Sequence, residues 1–153
     1  MQIMIQLELI NVFISSTALV LKNYGLTLRK ERLTVDEIPK TTHEINVVFG
    51  IGGAISSTIV MGLSIRGTKK LATLILRGPV YDLAIAGNTV SMIGTDIATA
   101  IVSNMQKIGI DVCPTPTTMV DSMGVVLSTL ASKKVAINFD TEVGQIDLRI
   151  TLE

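Results

Sequence analysis

The sequence feature that most constrains the fold is a long stretch of helical periodicity over residues 80–108. Apolar residues recur there at the spacing of one helix face, and an unbroken helix of this length would extend for about 40 Å. Gly87 and Gly94 lie on the same line, seven residues apart. Because each glycine inside a helix costs up to about 1 kcal/mol, the pair predicts close packing of this face against another backbone. The apolar line consists of Leu83, Val90, Ile97, Ile101, Met105 and Ile108, and we expect Leu83, Val90, Ile97 and Ile101 to be buried.

Two further helices are predicted before this segment. Residues 8–23 are amphipathic and end before Gly25, and residues 68–76 form a short helix that Gly78 and Pro79 stop. Strands are predicted at residues 26–35, 44–50, 55–63, 134–139 and 145–152, with Gly52 and Gly53 as a hairpin turn. This order predicts an α+β fold, with two long helices packed on one face of an antiparallel sheet, in a single domain over residues 1–153.

The charge balance argues against a nucleic-acid partner. Thirteen Lys and Arg residues balance thirteen Asp and Glu residues, and the chain has no Trp, three Phe and two Tyr. Such a chain has little with which to neutralise phosphates or to stack on bases. Charged residues make up 17% of the chain, below the roughly 25% that is typical of soluble domains. The apolar excess predicts a surface that is buried against another subunit, and we expect a homodimer.

His43 and Cys113 limit the chemistry that is available. Each is the single residue of its type, which excludes an intramolecular disulfide, a multi-cysteine zinc site and any site that needs two imidazoles. His43 lies in a Thr-Thr-His-Glu run before a predicted strand, and we interpret it as a surface histidine without a catalytic role.

The first apolar run, over residues 7–21, does not have the pattern of a signal peptide. No Lys or Arg precedes it, Glu8 and Asn11 interrupt it, and no small-residue cleavage site follows. No stretch approaches the 18 or so consecutive apolar residues of a spanning helix. We therefore expect a soluble, cytoplasmic protein without membrane insertion.

Several short motifs, taken in their order and spacing, carry a family resemblance. They are Ile10-Asn11-Val12-Phe13-Ile14, Gly50-Ile51-Gly52-Gly53-Ala54-Ile55, Ser64 with Thr68-Lys69-Lys70-Leu71-Ala72 and Gly78, and Pro116-Thr117 with Glu142-Val143-Gly144-Gln145-Ile146. In these motifs the chain resembles the CheX branch of the CheC/CheX/FliY family, chemotaxis proteins that dephosphorylate the response regulator CheY. The resemblance spans nearly the whole chain and implies a CheX-like domain.

The resemblance also implies where a site would lie. Family members carry a Glu and an Asn at E-x-x-N spacing on the long helix, followed by M-I-x-G. Residues three apart share a helix face, so both side chains can enter the regulator's active site together. In the family, the Asn amide orients a water in line with the aspartyl phosphate, and the Glu pairs with a regulator lysine. The Mg²⁺ belongs to the regulator, which implies no cofactor of this chain's own. This is catalysis by positioning.

This chain departs from the family pattern at both positions. Alignment through Met92 and Ile93 puts Asn88 where the Glu should be and Ser91 where the Asn should be. Asn88 cannot form the lysine ion pair, and the Ser91 hydroxyl is about one bond shorter than an amide and lacks its fixed donor–acceptor pair. The order of Gly94 and Thr95 also inverts the family's x-Gly. Because errors near 1 Å cost on the order of 10²-fold, we expect little phosphatase activity from this pair.

An intact E-x-x-N occurs elsewhere, at Glu8 and Asn11 near the start of the first predicted helix. Relatives in the family carry the motif on either of two pseudo-symmetric helices, so this is an alternative site. The competing interpretation is structural, because Glu is favoured in a first helical turn and Asn near helix starts.

Two function hypotheses therefore stand, both on a dimeric scaffold. The first is a CheX-like phosphatase of a phosphorylated CheY-type regulator with impaired or relocated catalytic residues. The second is a non-catalytic module that binds a regulator or a flagellar-switch component. A third, an unrelated small-ligand domain, would need a pocket with convergent polar groups. A neutral polar stripe on the long helix fits either a solvent face or a face that contacts a partner or another helix, and consists of Asn88, Ser91, Thr95, Thr99 and Ser103.

Overall fold

One antiparallel sheet organises the protein in a computed structural model that describes residues 2–36, 43–120 and 134–152. Its strands run in the spatial order β1-β6-β7-β3-β2-β4, and β5 pairs with the same outer edge of β2 as β4. Their bounds are β1 Arg29–Asp36, β2 Ile45–Gly53, β3 Ser57–Leu63, β4 Val112–Pro114, β5 Thr118–Val120, β6 Lys134–Thr141 and β7 Gly144–Leu152.

Three helices pack beside this sheet: α1 Gln2–Asn23, α2 Ile65–Leu76 and α3 Leu83–Lys107. α3 contacts α1, α2 and β2, so it is the central helix of the layer. One hydrophobic cluster joins the helices to alternate residues of the strands, among them Val47, Phe49 and Ile51 of β2. The predicted α+β class, with two long helices on an antiparallel sheet, is confirmed.

α3 is shorter than the predicted span of 80–108, and its first and last turns differ from expectation. Asp82 caps it, because its Oδ1 accepts hydrogen bonds from the backbone N–H groups of Ala84 (2.8 Å) and Ile85 (3.2 Å). Val90, Ile97 and Ile101 are buried as expected, whereas Leu83 is only half-buried because it is the first residue of the helix. Of the other residues on the apolar line, Met105 is buried and Ile108, just beyond the helix, is exposed.

The other two helices begin earlier than predicted. α1 starts at Gln2 instead of residue 8, because residues 2–7 are all good or neutral helix formers that continue the same helix. α2 starts at Ile65 instead of residue 68, because the Ser64 hydroxyl caps it by accepting from the Gly67 N–H at 2.9 Å.

The glycine pair in the first hairpin is not the predicted turn. Gly52 and Gly53 are the last residues of β2 and pair with Cys113 and Val112 of β4. Gly53 has φ +129°, and a Cβ there would lie 2.9 Å from the Asp111 carbonyl oxygen, so the close approach of β4 requires glycine. β4 and β5 were not predicted, because strands of three residues are too short to show periodicity.

The two helical glycines permit close packing, as predicted, but against side chains of the sheet instead of another backbone. A Cβ on Gly94 would lie 2.7 Å from Val47 Cγ1 and 3.1 Å from Phe49 Cδ1. A Cβ on Gly87 would meet the thioether of Met119. The glycines therefore bring α3 down onto β2 and β5.

α3 is the one helix among the described residues that is long and apolar enough to cross a membrane by length and composition. No such stretch is predicted from the sequence, because that prediction counts consecutive apolar residues and α3 also contains polar ones. Half of the helix's most apolar window is buried inside the protein, where it packs on the sheet and on the other helices.

Candidate functional site

The helix that carries the two motif-equivalent residues is amphipathic in the structure. Its inner face is buried, including Ala86, Val90, Ile93, Ile97 and Ile101. The opposite face is exposed to solvent, and we call it the α3 outer face: Ile85, Asn88, Met92, Thr95, Asp96 and Thr99. These positions recur at three- and four-residue spacing, so they form one continuous stripe.

Asn88 lies on this outer face and Ser91 lies beside it. Asn88 is exposed, and Ser91 is half-buried. The Ser91 hydroxyl donates a hydrogen bond to the Gly87 carbonyl oxygen, four residues back, at 2.8 Å. Such a bond occupies the hydroxyl's single proton, so Ser91 can offer a water molecule an acceptor lone pair but no donor.

The neutral stripe faces neither another helix nor the core. Thr95 and Thr99 are exposed, and so is Ser103. Thr95 and Thr117 share a hydrogen bond between their hydroxyls at 3.0 Å, and the Thr99 hydroxyl donates to the Thr95 carbonyl oxygen at 3.0 Å. Of the environments predicted for this stripe, solvent and a binding partner therefore remain, and another helix among the described residues is excluded.

Large apolar side chains are exposed around Asn88. Tyr81, just before α3, is 82% exposed, Ile85 is 53% exposed and Met92 is 63% exposed. Single exposed apolar residues are ordinary, but three of them within three helical turns form a patch that is typical of a binding surface.

Asp96 is held by Tyr24, the residue that directly follows α1. The Tyr24 hydroxyl donates a hydrogen bond to Asp96 Oδ2. This hydrogen bond raises the pKa of Tyr24 to about 12, with smaller contributions from burial and from the nearby negative charge. Sequence reasoning missed this pair, because the two residues are 72 positions apart along the chain.

A second contact fixes the direction in which α1 runs beside α3. The Asn104 side-chain amide donates to the Ser16 hydroxyl at 2.9 Å. Together with the contact between Tyr24 and Asp96, it shows that the two helices are antiparallel. The N-terminal part of α1 therefore lies towards the C-terminal end of α3.

The alternative pair, Glu8 and Asn11, lies at that other end of the helix layer. Both are exposed, and they lie in the second and third turns of α1 instead of at its start, so the first-turn and helix-start explanations for them are wrong. Asn104 is about 24 Å along α3 from Asn88, and Asn11 lies beyond Ser16 in the same direction. The two pairs cannot act in one site.

His43 is better packed than a free surface histidine. Its Nε2 contacts Asp147 Oδ2, its ring lies against Gly62, and its carbonyl oxygen accepts from the Asn46 side chain at 2.7 Å. Asp147 alternates with the core residues Ile146 and Leu148 of β7, so this cluster lies on the sheet face away from the helices.

Cys113 is exposed at the edge strand β4. Within the described ranges no group of three or more His, Cys, Asp or Glu side chains is placed to hold a metal ion.

Comparison with known proteins decides the fold. No protein-family model matches the chain, and no curated protein sequence matches it. Several solved structures match it. The chemotaxis protein CheX from Desulfovibrio desulfuricans superposes on this chain with a TM-score of 0.84 at 18% identity, over 95% of this chain and 99% of that one. The chain has the CheC/CheX fold. The resemblance predicted from the motifs is thereby confirmed at the level of architecture.

Further structures with the CheC/CheX fold extend this likeness. A complex of CheX, CheY, BeF₃ and Mg²⁺ from Borrelia burgdorferi contains a chain with a TM-score of 0.81 at 17% identity, over 94% of this chain and 97% of that one. FliY from Thermotoga maritima has a TM-score of 0.69 at 13% identity, over 94% and 86% of the two chains. At these identities the likeness concerns the fold.

Proposed function

We propose that this chain is a cytoplasmic CheX-like protein, a single domain that binds a phosphorylated CheY-type response regulator through the α3 outer face. The observation that carries the proposal is the exposed polar and apolar stripe around Asn88 on a helix of the CheC/CheX fold. The CheX of Borrelia burgdorferi, which shares the fold, has been crystallised with CheY. Any Mg²⁺ in the reaction belongs to the regulator, and we propose no cofactor for this chain.

The chemistry of the site supports weak hydrolysis of the aspartyl phosphate. Positioning a water requires a group that fixes both its lone pair and its proton. The amide of an Asn offers a donor and an acceptor together, whereas the Ser91 hydroxyl has committed its proton to Gly87. Asn88 is neutral and offers no charge to a regulator lysine. Binding with impaired catalysis is therefore the function that this surface supports best.

The second candidate function uses the same surface without any hydrolysis. A module that binds a regulator or a flagellar-switch component needs only the exposed stripe and its apolar rim. Where the partner is a regulator, the two candidates make the same prediction for binding and differ in the decay of the phosphorylated regulator. The decay assay therefore separates them.

Binding to a CheY-type regulator activated with BeF₃⁻ and Mg²⁺ tests the proposed docking face. Met92→Lys places a bulky cation in the centre of the α3 outer face and is expected to weaken binding at least about tenfold, or ~1.4 kcal/mol. Ile108→Lys is the matched control, because Ile108 is also exposed, at 52%, but lies at the far end of α3.

The control also detects the alternative site. Because Glu8 and Asn11 lie near the end of α3 that carries Ile108, loss of binding in Ile108→Lys with none in Met92→Lys would place docking on that end. Absence of binding by the wild-type protein would refute both regulator hypotheses.

A further inference from the structure

One carboxylate interrupts the otherwise neutral α3 outer face. All of α3 is described, and its two charged residues are Asp96 and Lys107, of which Lys107 lies in the last turn. Asp96 is exposed and lies one helical turn after Met92 on the same side. A partner that covers this face must therefore accommodate a single negative charge among apolar and neutral polar groups.

Tyr24 fixes the position of that carboxylate. The Tyr24 ring is half-buried and packs against the hydrophobic core, and its hydroxyl donates to Asp96 Oδ2. A carboxylate can accept about four hydrogen bonds, so one phenol leaves most of its capacity free for a partner. Binding then loses little side-chain entropy, because Asp96 is already held in place.

We propose that Asp96 is the anionic contact of the docking face, that it pairs with a lysine or arginine of the regulator, and that Tyr24 is its positioning residue. This inference rests on the proposed function, which supplies the partner. Charge complementarity favours a basic side chain, because an unpaired carboxylate covered by an interface would cost several kcal/mol.

A second copy of this chain fits the face less well than a regulator does. In a two-fold contact each copy would present the same stripe to the other. That stripe offers Asp96 no cation, since Lys107 is about three turns away along α3. The occupant that satisfies Asp96 is therefore a different protein with a basic residue opposite.

Removing the charge while keeping the shape is the direct test. Asp96→Asn keeps a carbonyl oxygen that can accept from Tyr24, so the helix contact is preserved. With a CheY-type regulator activated by BeF₃⁻ and Mg²⁺, we expect the Kd to rise about tenfold. This loss of affinity is larger than that for an exposed ion pair and smaller than that for a buried one. Asp111→Asn removes an exposed charge just beyond α3 and should leave the Kd within about twofold of wild type.

Salt dependence distinguishes an ion pair from a structural role. Wild-type affinity should fall as salt rises, and Asp96→Asn should be less sensitive because the pair is gone. Tyr24→Phe, which keeps the ring, should weaken binding about threefold in the wild type and much less in the Asp96→Asn background. A merely structural contact would lower the melting temperature of Tyr24→Phe and leave the salt dependence of binding unchanged in both variants.

The outcomes separate this inference from the proposed function. Wild-type binding with an unchanged Kd and salt dependence in Asp96→Asn would overturn the role of Asp96 and leave the docking face standing. A change of oligomeric mass in Asp96→Asn, measured by light scattering, would overturn it by showing that this residue contacts another copy. If the wild type binds no regulator, the proposed function is refuted and the inference with it.

Discussion

The close contact of α3 with the sheet at Gly94 gives a stability prediction that can be worked from the structure. In Gly94→Ala the new Cβ would lie 2.7 Å from Val47 Cγ1, closer than real Cβ contacts, with Phe49 Cδ1 and Thr117 Cγ2 each at 3.1 Å. Two of these neighbours belong to the packed core of β2, so α3 must move. Overpacking costs about 1–3 kcal/mol, against a gain of up to about 1 kcal/mol from helix propensity.

We therefore expect Gly94→Ala to lower the free energy of unfolding by about 1 kcal/mol, and Gly94→Leu by about 1–3 kcal/mol or more. For a domain of this size, 1 kcal/mol corresponds to a fall of about 2–4 °C in melting temperature. Gly87→Ala is the matched control on the same helix. Its new Cβ meets the flexible end of Met119, which can move aside at little cost.

Thermal and urea unfolding followed by circular dichroism measures the difference between the two variants. The expected order of stability is Gly87→Ala at or above wild type, and Gly94→Ala below it. Equal stability of Gly94→Ala and Gly87→Ala would show that β2 does not pack against α3 as closely as the structure has it, and would refute the reasoning.

Two further predictions concern the helix contact and the assembly. In a Tyr81→Phe variant, Tyr24 is the remaining tyrosine, and its ultraviolet titration should have a midpoint near pH 12. In Asp96→Asn the midpoint should fall only part of the way towards 10, because the amide keeps an acceptor oxygen but removes the negative charge. The pKa of Tyr24 in the folded protein is raised above its unfolded value of about 10, so the stability from this contact should be complete below pH 10 and should be lost as the pH rises from 10 to 12. An unshifted midpoint would show that the hydrogen bond does not form in solution. We also expect light scattering to give about twice the chain mass of 16.4 kDa, since the low charge content favours burial of apolar surface between two copies. A particle of one chain mass at micromolar concentration would contradict the dimer.

The fold could be predicted from the sequence to the extent that periodicity reports it. The long helix was predicted from its apolar line, because burial of one face imposes a period on the sequence. The strand around Val47 was predicted from its β-branched residues, which are enriched in strands. The first residues of α2 and α3 were predicted poorly. Capping by the Ser64 and Asp82 side chains defines where these helices begin, and a single capping residue leaves no periodic pattern in the sequence.

The placement of the candidate residues on α3 was predictable, and their contacts were less so. Spacing alone puts Asn88 and Ser91 near one helix face. The commitment of the Ser91 hydroxyl to Gly87 and the contact of Tyr24 with Asp96 depend on side-chain rotamers and on a tertiary contact, neither of which a single sequence displays. The packing of Gly94 on side chains instead of a backbone was missed for the same reason.

The rate at which a phosphorylated CheY-type regulator decays in the presence of this protein tests the central claim most directly. The wild type should accelerate the decay little, and the double change of Asn88→Glu with Ser91→Asn should accelerate it strongly, because it restores an acid and a water-orienting amide on one helix face. Each single change should do much less, since water positioning is useful only in a docked complex. Strong wild-type activity that Glu8→Ala or Asn11→Ala abolishes would move the site to α1, and a double variant that binds the regulator without any gain in rate would contradict the account.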